Sequence, residues 1–305
     1  MIYDSIQSKE MEKISINDKN YPRLLKEISG PPETLYILGS LPDENAPKIA
    51  IVGTRKATDN GRLIAKKIAK ELSEAGAIIV SGLAMGIDTA AHEGAVLAGA
   101  KTIATLGNGL NNIYPSQNQN LAKKIIEFDG AIISEYPPEE PAYPANFLQR
   151  NRIISGLSIA TVVVEAPLRS GSLVTARLAL EQGREVFVVP GPANSFNYAG
   201  SHLLIRDGAR LIASAKDIIE DLGLMPDKLS KNASPNNSQS VQTTNKQLTG
   251  EEKVIFDIIK NNPKTLNIDK IAELTKLKIQ TVNQAITFLT MKSLIKETAR
   301  GYSIK

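Results

Sequence analysis

From residue 48 to residue 222, short apolar runs alternate with amphipathic stretches. Ile49, Ala50, Ile51 and Val52 form an apolar run with no polar alternation, the pattern of a strand buried on both faces of a parallel sheet. Similar runs predict strands near 48–53, 77–81, 101–106, 130–134, 160–165 and 185–189. Between the first two, Ile64, Ile68 and Leu72 recur at i, i+4 and i+8 with Lys and Glu on the other side, predicting a helix over 61–75. Further helices are predicted near 88–99, 117–128, 146–156, 173–183 and 214–222. Regular βα alternation of this kind predicts an α/β fold with a doubly wound sheet and right-handed crossovers.

The flanks differ. Residues 1–47 are too few for a domain, and Tyr21-Pro22 and Gly30–Gly39 read as a lead-in packed against the sheet, whose domain then runs over 48–225. Residues 226–249 are rich in Ser, Asn and Gln and nearly devoid of apolar side chains, as expected of a flexible linker. Residues 250–305 predict a compact unit of three helices and a hairpin. Val254, Ile255, Ile258 and Ile259 mark the first helix, Ile268, Ile271, Ala272 and Leu274 the second, and Val282, Ala285, Ile286 and Leu289 the third. The last two helices have helix-turn-helix spacing, and a winged-helix unit follows from the hairpin behind them. Gln280, Thr281, Asn283, Gln284 and Thr287 are predicted on the exposed face of the third helix, polar but without arginine. Duplex binding and protein docking both remain open for this unit.

Charge sharpens that division. Ten of the 36 Lys/Arg and six of the 32 Asp/Glu fall in 250–305, so the rest of the chain holds 26 of each and is neutral. A nucleic-acid site in the larger part must therefore be a local cluster and not a global field. With no cysteine and only two histidines among 305 residues, thiol catalysis and a multi-His metal site are not expected. No apolar run of about 18 residues and no signal-peptide pattern occurs, so the expectation is a soluble, cytoplasmic protein without membrane contact.

Four turns are predicted at carboxyl ends of strands, sharing one rim. They are Gly53-Thr54-Arg55; Ser81–Asp88, with Gly82 and Gly86; Gly107-Asn108-Gly109; and Glu165–Ser172, with Arg169, Ser170, Gly171 and Ser172 entering a helix. Free amides at a helix N-terminus bind anions, and two of these turns carry arginines, so the rim predicts phosphate binding. The turn after the first strand has one glycine where a dinucleotide fingerprint needs three, and no P-loop is present. No cofactor is expected.

The run 144–157, P-A-N-F-L-Q-R-N-R-I-I-S-G-L, supplies a basic cluster. On a helix Phe147, Arg150 and Asn151 share a face, so an aromatic plate lies beside a guanidinium and an amide. Stacking combined with arginine–phosphate contact is the chemistry of single-stranded nucleic-acid binding. Arg55, Arg150 and Arg152 are expected to grip successive phosphates while Phe147 stacks a base. In the competing reading Phe147 is core and the arginines pair with carboxylates such as Glu135 or Glu165.

The runs I-A-I-V-G-T-R (49–55), S-G-L-A-M-G-I-D-T-A-A-H (81–92), 105–115, F-L-Q-R-N-R-I-I-S-G-L-S (147–158), 164–176 and Val189-Pro190-Gly191 together resemble the DprA/Smf (DNA processing protein A) family. The resemblance covers about residues 20–222. It implies an extended Rossmann-like domain that binds single-stranded DNA and hands it to the RecA recombinase in natural transformation. It also implies a homodimer and, in many members, a C-terminal winged helix. The family's DNA pocket uses the arginine of the G-[ST]-R turn, here Arg55, with the R-N-R region and the glycine-rich turns. Family dimers pair through the late part of the domain, which implies Leu180, His202 and Leu211 for that surface. The helical N-terminal domain of many members has no counterpart in the 47-residue lead-in.

The alternative function is a nucleotide-binding or nucleotide-hydrolysing enzyme of phosphoribohydrolase type. Its helix-opening turn would need a carboxylate in the first turns, where this chain has Thr175, Ala176 and Ala179, and Glu181 lies too far along. Asp88 and Glu165, the remaining rim carboxylates, are read as capping and orienting groups. The chain is therefore expected not to be an enzyme.

Overall fold

The computed structural model of the chain describes residues 11–224 and, in short runs, 250–262, 265–277, 279–291, 294–298 and 301–304. The predicted linker at 226–249 lies outside the described residues. The chain divides into two compact units, before and after residue 231.

The first unit is built on a nine-stranded sheet. Its strands are β1 (Glu12–Ser15), β2 (Thr34–Gly39), β3 (Lys48–Val52), β4 (Ile78–Ser81), β5 (Thr102–Thr105), β6 (Ala131–Ser134), β7 (Ala160–Val163), β8 (Glu185–Val188) and β9 (Arg210–Leu211). In space they run β1-β2-β6-β5-β4-β3-β7-β8-β9. The ladders from β6 to β9 are parallel, and β1 and β2 add two antiparallel strands at one edge. Every residue of β3 to β7 is buried, which is why these strands read as unbroken apolar runs.

The helices are α1 (Arg23–Lys26), α2 (Asp59–Glu74), α3 (Ile87–Leu97), α4 (Gln119–Glu127), α5 (Pro144–Gly156), α6 (Gly171–Glu181), α7 (Ala199–Arg206) and α8 (Ala215–Asp221). Period-two alternation divides each strand between two cores. Ile49 and Ile51 face a cluster with Ala65, Ile68 and Leu72 of α2, Ile87 and Ala91 of α3 and Ile218 of α8. Ala50 and Val52 face the opposite cluster, with Ile153 and Ile154 of α5, Leu173 and Ala176 of α6 and Leu204 of α7. The chain thus winds from β3 out to β6 with helices on one face. It returns along α5 on the other face and continues outward through β7, β8 and β9. The direction reverses between β3 and β7, the place where such sheets hold ligands beyond their carboxyl ends.

The sheet is larger than the alternation predicts. Part of the lead-in packs against the sheet as expected, with Tyr21, Leu25 and Ile28 in the core on the α5 face, but β1 and β2, within 12–39, also extend the sheet, β2 pairing with β6. β9 has two residues, both exposed. Helix α7 was also not predicted.

The second unit contains α9 (Gly250–Asn261), α10 (Ile268–Thr275), α11 (Ile279–Met291) and an antiparallel pair, β10 (Ile295–Thr298) with β11 (Gly301–Ile304). Ile255, Ile259, Ile271, Val282, Ala285, Ile286, Leu289 and Ile295 form its core. Asn267 caps α10 by accepting from the Lys270 amide. Val254 and Leu274, which mark their helices in the sequence, are exposed. Gln280, Asn283, Gln284 and Thr287 are exposed on α11, and Thr281 is half-buried. Among the described residues of the chain, no helix is long and apolar enough to cross a membrane.

Candidate functional site

At the reversal between β3 and β7 the carboxyl rim opens into a cavity of about 520 Å³. Its walls come from the turn after β3, the start of α5, and the loop between β7 and α6. Gly53, Thr54, Arg55, Phe147, Arg150, Asn151, Arg169, Ser170, Gly171 and Ser172 all line it. The structure therefore brings ten of the fourteen predicted site residues together. The other four, Gly82, Gly86, Asn108 and Arg152, do not line it.

The turn carrying Arg55 is fixed from three sides. The Thr54 amide donates to the Glu165 carbonyl at 2.7 Å, tying the end of β3 to the end of β7. The Ile87 amide donates to the Thr54 carbonyl at 3.3 Å. Beyond the turn Thr58 caps α2, its hydroxyl accepting from the Gly61 amide. The fully buried Glu165 carboxylate accepts from the Thr58 amide (3.0 Å), the Thr58 hydroxyl (2.6 Å) and the Asn197 amide group (3.2 Å). Acceptance of three donors by one carboxylate satisfies the buried charge and secures the start of α2. Gly86 presses on the same turn. With φ of 85°, in the left-handed region, it would place a Cβ 2.4 Å from the Thr54 carbonyl oxygen, so only glycine fits.

Arg55 itself is exposed. Its guanidinium lies 5.5 Å from the centre of the Phe147 ring, within cation–π range. On Phe147 the Tyr114 ring also packs, with centroids 5.3 Å apart and planes inclined by 37°. Tyr114 is about half exposed and lines the cavity. It was not among the predicted site residues, although it lies within the run 105–115 that carries the family resemblance. Opposite, Ser170 caps α6 and Asn151 donates to the Gly171 carbonyl. Arg169 is exposed beside that helix N-terminus.

The two arginines of α5 differ from Arg55 and from each other: Arg150 lines the cavity but is buried, and Arg152 does not line it. Arg150 is 4% exposed, and its Nη1 donates to the carbonyl oxygens of Gly82 (2.8 Å) and Thr105. A Cβ on Gly82 would lie 2.7 Å from Nη1 and Nη2 of Arg150 and from Oδ2 of Asp88, so this glycine makes room for a buried charge cluster. Burial lowers the Arg150 pKa to about 10, against the opposing pull of the Asp88 carboxylate. Burial likewise raises the Asp88 pKa, with Arg150 and the Gly82 and Ala84 amides pulling it back. Arg152 points elsewhere and forms a two-pronged pair with Glu135, at 3.1 and 2.6 Å. That is the pairing of the competing reading. Asn108 is buried and donates to the carbonyls of Gly109 and Asn112, shaping its own loop.

The cavity therefore offers two exposed cations, two aromatic surfaces and a helix N-terminus, an arrangement for phosphates and bases together. Among the described residues no cluster of three His, Asp or Glu side chains could hold a metal.

Of the residues implied for pairing, Leu180 and Leu211 are exposed, whereas His202 is half-buried with its Nε2 on the Gly191 carbonyl oxygen at 3.0 Å.

Comparison with known proteins identifies the family and the fold. The model of the DNA recombination-mediator protein A family matches residues 12–223. The Smf protein of Escherichia coli is 44% identical over 209 residues, 68% of this chain and 56% of its own length. The chain thus spans little more than half of that relative. The DNA processing protein DprA of Streptococcus pneumoniae is 43% identical over 223 residues, 72% of this chain and 78% of its own. Its X-ray structure superposes with a TM-score of 0.65 at 40% identity, over 72% of this chain and 76% of that one. The Helicobacter pylori DNA processing protein A, whose structure is described for its single-stranded DNA binding mode, gives 0.62 at 32% identity, over 70% and 96%. The α/β unit with its parallel-dominated mixed sheet thus has the architecture of these proteins, and the chain belongs to the DNA recombination-mediator protein A family.

Proposed function

We propose that this chain binds single-stranded DNA in the cavity between β3 and β7. The observation that carries this reading is the exposed Arg55 guanidinium held over the Phe147 ring, with Tyr114 on the same ring and Arg169 and the α6 N-terminus across the cavity. Arg55 and Arg169 contact phosphates, and Phe147 or Tyr114 stacks a base. The bases of a duplex are unavailable for such stacking, so duplex binds weakly.

Family membership supports the wider role. The protein takes part in DNA processing in the cytoplasm during natural transformation, protecting incoming single strands and loading RecA onto them, and it does no catalysis. It acts as a homodimer, pairing through the surface of α6, α7 and β9, where Leu180 and Leu211 are exposed. Two cavities on one strand raise apparent affinity through effective concentration. The C-terminal unit is a winged helix, and it docks duplex DNA or a protein.

Fluorescence anisotropy of labelled oligo-dT tests the central claim, using wild type and Arg55→Ala over a salt series with duplex competitor. Tight, salt-sensitive binding that resists duplex and collapses in the variant is expected. Unchanged binding in Arg55→Ala would remove the site from this cavity.

A further inference from the structure

Phe196 is the most exposed large hydrophobic side chain among the described residues, at 75%. Its neighbours are not loose. Phe196 opens the short 3-10 turn Phe196–Tyr198, which follows β8 on the carboxyl side of the sheet. The next residue, Asn197, donates from its side chain to the Lys56 carbonyl at 3.1 Å and to the Glu165 carboxylate at 3.2 Å. Tyr198 is buried against Gly191, where a Cβ would meet the tyrosine ring at 2.2 Å. Two residues further on, the Gly200 and Ser201 amides donate to the Ala166 carbonyl at 2.8 and 3.2 Å.

These bonds place Phe196 on the rim between Lys56 and Ala166-Pro167. Arg55, beside Lys56, and Pro167, beside Ala166, both line the cavity. The backbone at Phe196 is thus tethered through its neighbour Asn197 to the Lys56 carbonyl, beside the turn whose Arg55 and Lys56 are exposed. Asn194, Ser195 and Asn197 flank it, so it stands alone in a polar stretch and not in an apolar patch. An exposed ring on an anchored turn close to cations can stack a base while the cations hold the adjoining phosphates.

We propose that Phe196 is a second stacking platform, taking a base of the strand as it leaves the cavity over Arg55 and Lys56. This rests on the reading of the cavity as a single-strand site.

The test uses the full chain, which contains no tryptophan, so Phe196→Trp introduces a lone reporter. Titration with unlabelled oligo-dT is expected to quench the indole emission, with a midpoint equal to that of anisotropy on a labelled oligomer. Phe196→Ala is expected to weaken oligo-dT binding about 5- to 150-fold, the range of one base–aromatic stack, with elution volume on size exclusion unchanged. Constant indole emission during saturable, Arg55-dependent binding overturns the platform and leaves the cavity reading intact. A shifted elution volume in Phe196→Ala, or indole emission that changes on dilution of the free protein, assigns the ring to contact with a second copy and also overturns it. Loss of all Arg55-dependent oligo-dT binding refutes the cavity reading itself.

Discussion

The turn after β3 and the start of α5 both bring arginine to the same cavity, and they treat it in opposite ways. The turn lies beyond the sheet, so Arg55 extends into solvent and meets only the edge of the site, the Phe147 ring. Helix α5 lies on the sheet, so Arg150 is buried, with its Nη1 on the carbonyls of Gly82 and Thr105 and its Nε without a partner. One arginine is available to a ligand; the other builds the floor beneath it.

Substitutions can break or sharpen that contrast. The largest effect is expected for Arg150→Ala, which strands the Asp88 carboxylate and two carbonyls in the interior. Removal of one partner from a buried charge cluster costs about 3–5 kcal/mol, measurable as a fall in the urea midpoint. A stable variant with weakened oligo-dT binding would instead make Arg150 a ligand contact.

Acid should attack the same region. His92 is fully buried in α3, and its Nδ1–H donates to the Thr102 hydroxyl, which itself donates to the Ile79 carbonyl. Burial, with the Arg150 charge nearby, lowers its pKa from 6.5 to about 3. Between those values the unfolded chain binds a proton that the folded one refuses, so stability falls as pH falls through this window. The slope from this one group is at most about 1.4 kcal/mol per pH unit. Denaturation midpoints from pH 7 to 4 should fall less steeply in His92→Gln than in wild type.

Arg55→Ala is expected to leave the urea midpoint unchanged and to weaken oligo-dT binding about 10- to 100-fold, the scale of one charge-assisted phosphate contact. The slope of log affinity against log salt should drop by about one. The smallest effect is expected for Arg152→Gln. Its pair with Glu135 is partly exposed, so a loss of about 1 kcal/mol in stability is expected, with binding unaltered.

How much of this was legible in the sequence follows from the same physics. The six strands from β3 to β8 were readable because burial on both faces demands unbroken apolar runs. β1 buries only Ile14, β2 mixes half-buried and buried positions, and both residues of β9 are exposed, so none of these shows the full burial that marks β3 to β7. The convergence of Gly53–Arg55, Phe147 and Arg169–Ser172 was legible because strand ends share one rim. The fate of the α5 arginines was only half legible. Residues two apart on a helix point to nearly opposite sides, so Arg150 and Arg152 could not share a ligand. Which of them met carbonyls and which met Glu135 depended on chain segments about 15 to 70 residues away, beyond any local pattern.

The buried knot at Glu165 also bears on how fast and at what entropic cost a strand is captured. Because the carboxylate binds Thr58 and Asn197, and Gly86 presses from the other side, the backbone that carries Arg55 is already in place before any ligand arrives. Ordering a free turn would cost about 1–2 kcal/mol per residue, whereas here only the arginine's own rotamers, about 2 kcal/mol, remain to be frozen. Association then needs no loop closure, and its rate is set by diffusion and by the field of the exposed cations.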